Sequence, residues 1–428
     1  MILDTIRDVL EYSDANGYEI TDTKIHSWEF YLIRHKLDQH RVRDTEHVIV
    51  KVYRSLDDGK CLGSAKAEIA PTASKEEVRA VIAKLCAQAA FVKNPMYHLN
   101  NRVTFQEEKP KAISVSEIAK DFFDAVHSVN ETAGEDINSY EIFINEIERR
   151  IINSEGIDYT VKYPSSMLEI IVNARKEGHE IELYRNYTSG TCDKAALVRD
   201  ITETLRFGKD RLLCVPTPKL GKFPVIFSTS DVLSIYEGFY LSRMSASSKY
   251  MRYSDYEIGK PIIENPEGDT VTLYALHELE NSSHNFLFDE EGALIRDRCL
   301  IRNNVPENFY GNRQFSQYLH LDHSSIVYNY SVEGGTRSAA DLRKGDCLEI
   351  VEFSDFQCHP ITCDIAGEIR LAYWHHDGIV TPVSGGSVSG NMRELAKKMY
   401  LSKELRQYDS ALVPSVTRIE GVQITGIE

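Results

Sequence analysis

The chain has 428 residues and a formal net charge of −16, with 65 acidic side chains against 49 basic ones. That length can hold two to three domains with cores of their own. A content of 42% hydrophobic and 27% charged residues is globular and excludes wholesale disorder. The acidic balance argues against a nucleic-acid partner, and no apolar run nears the roughly 20 residues of a bilayer span.

Neither nucleic acid nor a membrane is therefore expected as a partner. The opening Met-Ile-Leu-Asp-Thr-Ile-Arg-Asp has neither the basic cap nor the apolar core of a signal peptide, so cytoplasm is the expected compartment. The eight cysteines are scattered without a Cys-x-x-Cys pair and read as reduced core thiols.

In chain order, the spacing predicts a first helix from Leu3 to Ala15, with Ile6, Val9 and Leu10 on one face, stopping at Asn16-Gly17. A hairpin follows, with His47 to Arg54 turning at Asp57-Asp58-Gly59 into Cys61 to Ala70. Residues 29–48 are rich in histidine and charge, and the sequence assigns them no role. Ser74 and Glu77 have capping-box spacing ahead of a helix that ends before Asn94-Pro95, and Ser114 caps another through Ser128 after a polar connector at 101–113. Ser139 to Ile152, Ile157 to Tyr163, Met167 to Ala174 and His179 to Tyr187 read as four strands. A helix from Asp193 to Arg206 closes at Gly208.

The stretch 216–224, with three prolines and a glycine, reads as a boundary linker. Beyond it come one helix from Asp231 to Arg243, short strands and a late helix from Arg393 to Leu401. Strands next to strands make the class α+β. An N-terminal α+β domain at 1–215, an antiparallel sheet with packed helices, is expected to precede a strand-rich domain at 216–428 with one prominent helix at its start.

Zinc peptidases need paired histidines on one helix with a glutamate beside them. The pairs His179-Glu180 and His277-Glu278 have no second histidine at a helical offset and read as surface residues. His320 with His323, and His375 with His376, read as lying on strands, where odd offsets send them to opposite faces. A shared metal would then need a third element.

Several segments in order carry a resemblance. They are the Asp58-Gly59 turn, Ala87 to Tyr97, Arg149 to Asp158, Asp289-Glu-Glu-Gly292, Tyr310-Gly-Asn-Arg313, Asn329 to Gly335, Pro382 to Asn391, and Pro414 to Gly426. Together they resemble the TldD/PmbA family, the modulators of DNA gyrase. The family's TldD kind carries His-Glu-x-x-x-His on the first helix of the C-terminal domain and a later cysteine, and its PmbA (TldE) kind lacks both. Placing Glu237 on the family glutamate puts Tyr236 and Leu241 at the histidine positions, and Tyr408 to Pro414 holds no cysteine.

The resemblance implies a PmbA/TldE-like subunit with no catalytic residue or metal ligand of its own. It would hold no cofactor, and a TldD-like partner would supply the zinc of a cytosolic heterodimeric peptidase for unfolded or leader-bearing peptides. The chain's own activity is left open by this reading. Glu237, Gly311, Asn312, Arg313, Gly390 and Asn391 are expected to line the peptide chamber or an interface. The alternatives are a self-associating peptide-binding protein that has lost catalysis and a hydrolase rearranged around His320, His323 and His376.

Overall fold

The structure is a computed structural model that describes residues 2–105, 113–322 and 325–427. Most of the connector at 101–113, and His323, lie outside the described residues.

The N-terminal part is built from α1 (Ile2–Glu11), β1 (Gly17–Ile33), β2 (Lys36–Leu56), β3 (Cys61–Ile69), α2 (Lys75–Ala89) and β4 (Asn94–Pro95). It continues with α3 (Val115–His127), β5 (Glu135–Asn153), β6 (Asp158–Lys176), β7 (His179–Ser189) and α4 (Lys194–Arg211). Its strands form one antiparallel sheet in the order β4-β3-β2-β1-β5-β6-β7. Ser74 closes the expected capping box with Glu77, and Ser114 and Asp193 cap α3 and α4.

One face of this sheet carries two helix pairs. Ile6, Val78 and Ile82 of α1 and α2 pack on Ile20, Val48 and Val50, while Phe122 and Ile201 of α3 and α4 pack on Ile142, Ile144 and Leu168. Between the pairs no helix among the described residues covers the sheet, and there the same strands present Lys24, His26, Glu46 and Glu148. Strand alternation explains the pattern: even positions stay on one face, and their polarity follows what sits above them.

The sequence reading departs from this sheet in three places. Residues 29–48 complete a long β1–β2 hairpin whose two-residue turn is Arg34-His35, both at positive φ. Asn-Gly is the usual signal for such a turn, and its absence hid the strand. The two strands read at 157–163 and 167–174 are one, β6, running through Pro164. Pairing with β7 begins only at Ser166, so the proline sits where that edge of β6 is unpaired. Gly208 does not end α4 but lies inside it, where an added Cβ would approach Ala174 Cβ at 3.2 Å.

The C-terminal part is strand-rich. Its strands are β8 (Val215–Pro216), β9 (Gly221–Phe227), β10 (Leu273–Leu276), β11 (Arg298–Arg302), β12 (Val305–Pro306) and β13 (Asn329–Val332). They continue as β14 (Cys347–Cys358), β15 (Asp364–His376), β16 (Ile379–Ser384), β17 (Ser387–Asn391) and β18 (Met399–Leu401), then β19 (Leu405–Tyr408), β20 (Ala411–Pro414) and β21 (Thr417–Thr425). The path β14-β9-β21-β17-β15 closes on itself because β15 also pairs with β14, which makes a barrel. A second sheet runs β12-β11-β10-β13-β20-β19.

The helical run 230–244 lies between barrel and sheet. Its Ile235, Tyr236 and Phe239 share a core with Val225 and Ile350 of the barrel and with Leu273 and Tyr330 of the sheet. The expected single helix here is a succession of 3-10, α and π turns. The segment read as a linker is tied down at both ends, since β8 pairs with β16 and β9 belongs to the barrel. The late helix is short, Met392–Leu395 with one 3-10 turn, and gives way to β18.

Candidate functional site

Where the two parts meet, a cavity of about 490 Å³ opens. Six consecutive residues of β7, Tyr184 to Ser189, and Arg406 to Asp409 on and just beyond β19 all line it. Side chains of a strand alternate between faces, so contact by consecutive residues means the cavity runs along each strand's edge. Both β7 and β19 stand at the end of their sheets, so this flank carries backbone groups with no strand partner among the described residues.

Ion pairs bridge the two parts around the cavity. Arg406 of β19 reaches Asp200 at 2.9 Å and Glu203 at 2.8 Å on α4. From the N-terminal part, Arg185 and Arg211 approach Glu352 Oε1 on β14 at 3.4 and 3.6 Å. Glu352 comes to this wall through a bulge: Ile350 pairs with Ala372 and Glu352 with Leu371, so two steps on β14 match one on β15. The extra residue turns Glu352 out of the barrel, level with Leu371, which packs on the N-terminal core. Asp231, also on the wall, is held by burial at a pKa of about 6, with the Arg185 charge and the Thr229 hydrogen bond opposing the shift.

The run 236–241 is a π-helix, in which positions five apart fall on one face. Tyr236 and Leu241 therefore share a face, but they do not fit a zinc ion. The Tyr236 ring is fully buried with its hydroxyl 2.7 Å from Thr417 Oγ1, and an isobutyl group has no donor atom. Glu237 is reached by solvent, and its Oε1 accepts from Tyr330 Oη at 3.1 Å. Surrounding protein pushes its pKa up against that hydrogen bond.

The other family-motif positions gather elsewhere. An added Cβ on Gly311 would meet Ala246 Cβ at 2.8 Å, Asn312 caps the helix Arg313–Tyr318, and Arg313 N donates to Glu291 at 2.7 Å while its Nε reaches His98 O. These contacts lie at the seam between the two parts. Burial, with the Glu19 charge, pushes Glu291 up to about 7. Asn391 caps a helical turn and donates to Thr362 O and Asp364, and Gly390 leaves room for Leu395. None of these six residues is among those lining the cavity.

His320 does not lie on a strand. It follows the helix Arg313–Tyr318 at positive φ, because β13 starts only at Asn329. His375 and His376 do lie on β15 and pair separately, with Glu349 and Asp346.

The expectation of no metal ligand set in this chain needs correction. Asp346, His376 and Asp377 bring three ligand atoms within 4.8 Å of one another at the exposed turn joining β15 to β16, and could hold a metal ion. His376 Nδ1 lies 2.7 Å from Asp346 and its Nε2 3.4 Å from Asp377. The third element that two neighbouring histidines seemed to lack is the start of β14, which hairpin pairing lays beside the turn. The cavity residues Asp231, Glu352 and Arg406 went unnoticed in the sequence because their grouping needs a bulge and two sheets.

Among the described residues, no helix is long and apolar enough to cross a membrane. Among curated proteins, none matches the chain by sequence. TldE from Thermococcus kodakarensis has a similar structure, with TM-score 0.78 and 17% identity over 99% of this chain and 100% of that one. A Thermotoga maritima protein described as a candidate modulator of a DNA gyrase follows, with TM-score 0.77 and 16% identity over 99% and 100%. A Bacteroides thetaiotaomicron protein described in similar terms has TM-score 0.75 and 15% identity over 99% of each chain. At these identities the likeness speaks for the fold. Residues 220–426 match the family description PmbA/TldA metallopeptidase C-terminal domain. With that match, the strand-rich half is a TldD/PmbA-family domain, and the chain as a whole shares the fold of these three structures.

Proposed function

We propose that this chain is a PmbA/TldE-like subunit that takes an extended peptide into the cavity and acts in peptide processing with a TldD-like chain. The observation that carries the reading is the pair of sheet-end strands, β7 and β19, flanking one cavity. An extended peptide can pair its backbone with such an edge, which gives affinity with little dependence on side chains. The cavity volume lies within the roughly 300–1,000 Å³ of ligand sites. Hydrolysis falls to the TldD-like chain, because Tyr236 and Leu241 offer a zinc ion nothing to bind. The division at 215/216 then separates the two walls of the chamber. Gly311, Asn312 and Arg313 hold the walls together, Gly390 and Asn391 brace the barrel behind, and Glu237 faces the partner's side.

Backbone pairing is tested with unstructured hexapeptides that are N-methylated at alternate positions. Methylation should abolish binding in one register and spare it in the other. Equal binding in both registers would remove the strand-edge reading. Light scattering should show a complex with a co-expressed TldD-like chain, and a monomer both alone and in that mixture would remove the subunit reading.

A further inference from the structure

The cavity wall carries more negative charge than its own cations neutralise. Carboxylates from Asp193, Asp200, Glu203, Asp231, Glu352 and Asp409 line it against the guanidinium groups of Arg185 and Arg406, with no lysine or histidine. Four of the six have their charge met by cations or amide and hydroxyl donors. Asp193 accepts from Ala196 N as the cap of α4, Arg406 holds Asp200 and Glu203, and Asp409 accepts from the Ser283 amide and hydroxyl.

Asp231 and Glu352 are met only in part. Asp231 accepts from Thr229 Oγ1 at 3.4 Å and makes no ion pair among the described residues. Glu352 is only 7% exposed, and both guanidinium groups near it approach the same oxygen, Oε1. Its Oε2 is buried with no hydrogen-bond partner. A desolvated carboxylate oxygen without a donor is costly to keep, and Asp231 and Glu352 also raise each other's cost through like charge.

A metal ion is a poor occupant. Among the described residues, the group with three ligand atoms close enough is Asp346, His376 and Asp377, none of which lines the cavity. A further guanidinium is poor too, since two already crowd Oε1. An ammonium is compact, carries three donors and can sit between separated oxygens. We infer that Asp231 and Glu352 together receive a primary ammonium group of the peptide, supplied by a free α-amino terminus or a lysine side chain. The inference rests on the cavity being the peptide site.

The test uses the full chain and three C-terminally labelled hexapeptides with uncharged side chains, read by fluorescence anisotropy. One has a free N-terminus, one is N-acetylated, and one is N-acetylated with a lysine at its third position. The free peptide should bind at least about tenfold more tightly than the acetylated one. If the lysine peptide regains that affinity, the side chain is a source of the ammonium; if it does not, the terminus is. Asp231→Asn and Glu352→Gln should each erase the preference for the amine. Equal binding of free and acetylated peptides to the unaltered chain, or a preference that survives in both variants, overturns the inference alone. Failure of all three peptides to bind overturns it together with the peptide-site reading.

Discussion

Glu349 and Glu352 lie three residues apart on β14, both nearly buried, in surroundings that differ in one respect. Glu349 is saturated: Arg343 grips both its oxygens at 2.6–3.0 Å, and His375 stands 3.4 Å away. Burial alone would raise its pKa, but the nearby His375 and the hydrogen bonds from Arg343 outweigh it and hold the group at about 2. Glu352 has two arginines on one oxygen and nothing on the other, and it faces a cavity. A saturated buried carboxylate serves the fold, whereas one left half-paired beside open volume keeps capacity for a ligand.

The largest break in this comparison should come from Arg343→Met, which leaves Glu349 buried without its partner. A loss of about 3–5 kcal/mol is expected from denaturant titration. A loss below about 1 kcal/mol would show that the pair is not the anchor described.

pH should separate the two neighbourhoods by sign. The folded pKa of Glu349 is depressed, so its contribution is present above its ordinary value of 4.5 and is lost as pH falls through about 2. The folded pKa of Asp231 is raised from 3.8 to about 6, so its contribution is present below pH 3.8 and is lost as pH rises through 6. Asp231→Asn should therefore remove a fall of roughly 2 kcal/mol in stability between about pH 4 and pH 6. An unchanged profile would place Asp231 in water rather than in a buried wall.

Glu352→Gln should shift stability by less than about 1 kcal/mol, because it removes a charge that is only half compensated. If it costs as much as Arg343→Met, Glu352 is structural and the contrast collapses. His376→Ala should be the mildest, within about 0.5 kcal/mol at an exposed site. If a divalent ion copurifies with the chain, elemental analysis of this variant should find it gone, and retention would place the ion elsewhere.

Much of the framework was legible from local rules. The helix caps at Ser74 and Ser114 are read from residue type and spacing, because capping is a bond between neighbours in the chain. The order of segments such as Asp289-Glu-Glu-Gly292 carried the family. Its physical content shows in Asp289, whose oxygens accept from the amides of Glu291, Ala293 and Ile326, the first two within the turn itself. Misreadings arose where a local signal had a tertiary cause. A strand looked as though it ended at Tyr163 although β6 runs on through Pro164, and Gly208 looked like a helix end but makes room for β6.

By itself the sequence determined the fold class and the capped helices, since each depends on residue identity at short range. The tertiary structure alone decided that two sheet-end strands flank one cavity, that a bulge turns Glu352 onto its wall, and that Asp346 meets His376 and Asp377. Those groupings join residues far apart in the chain. They follow from how strands pair and where a single extra residue shifts the register, and residue order alone does not encode either.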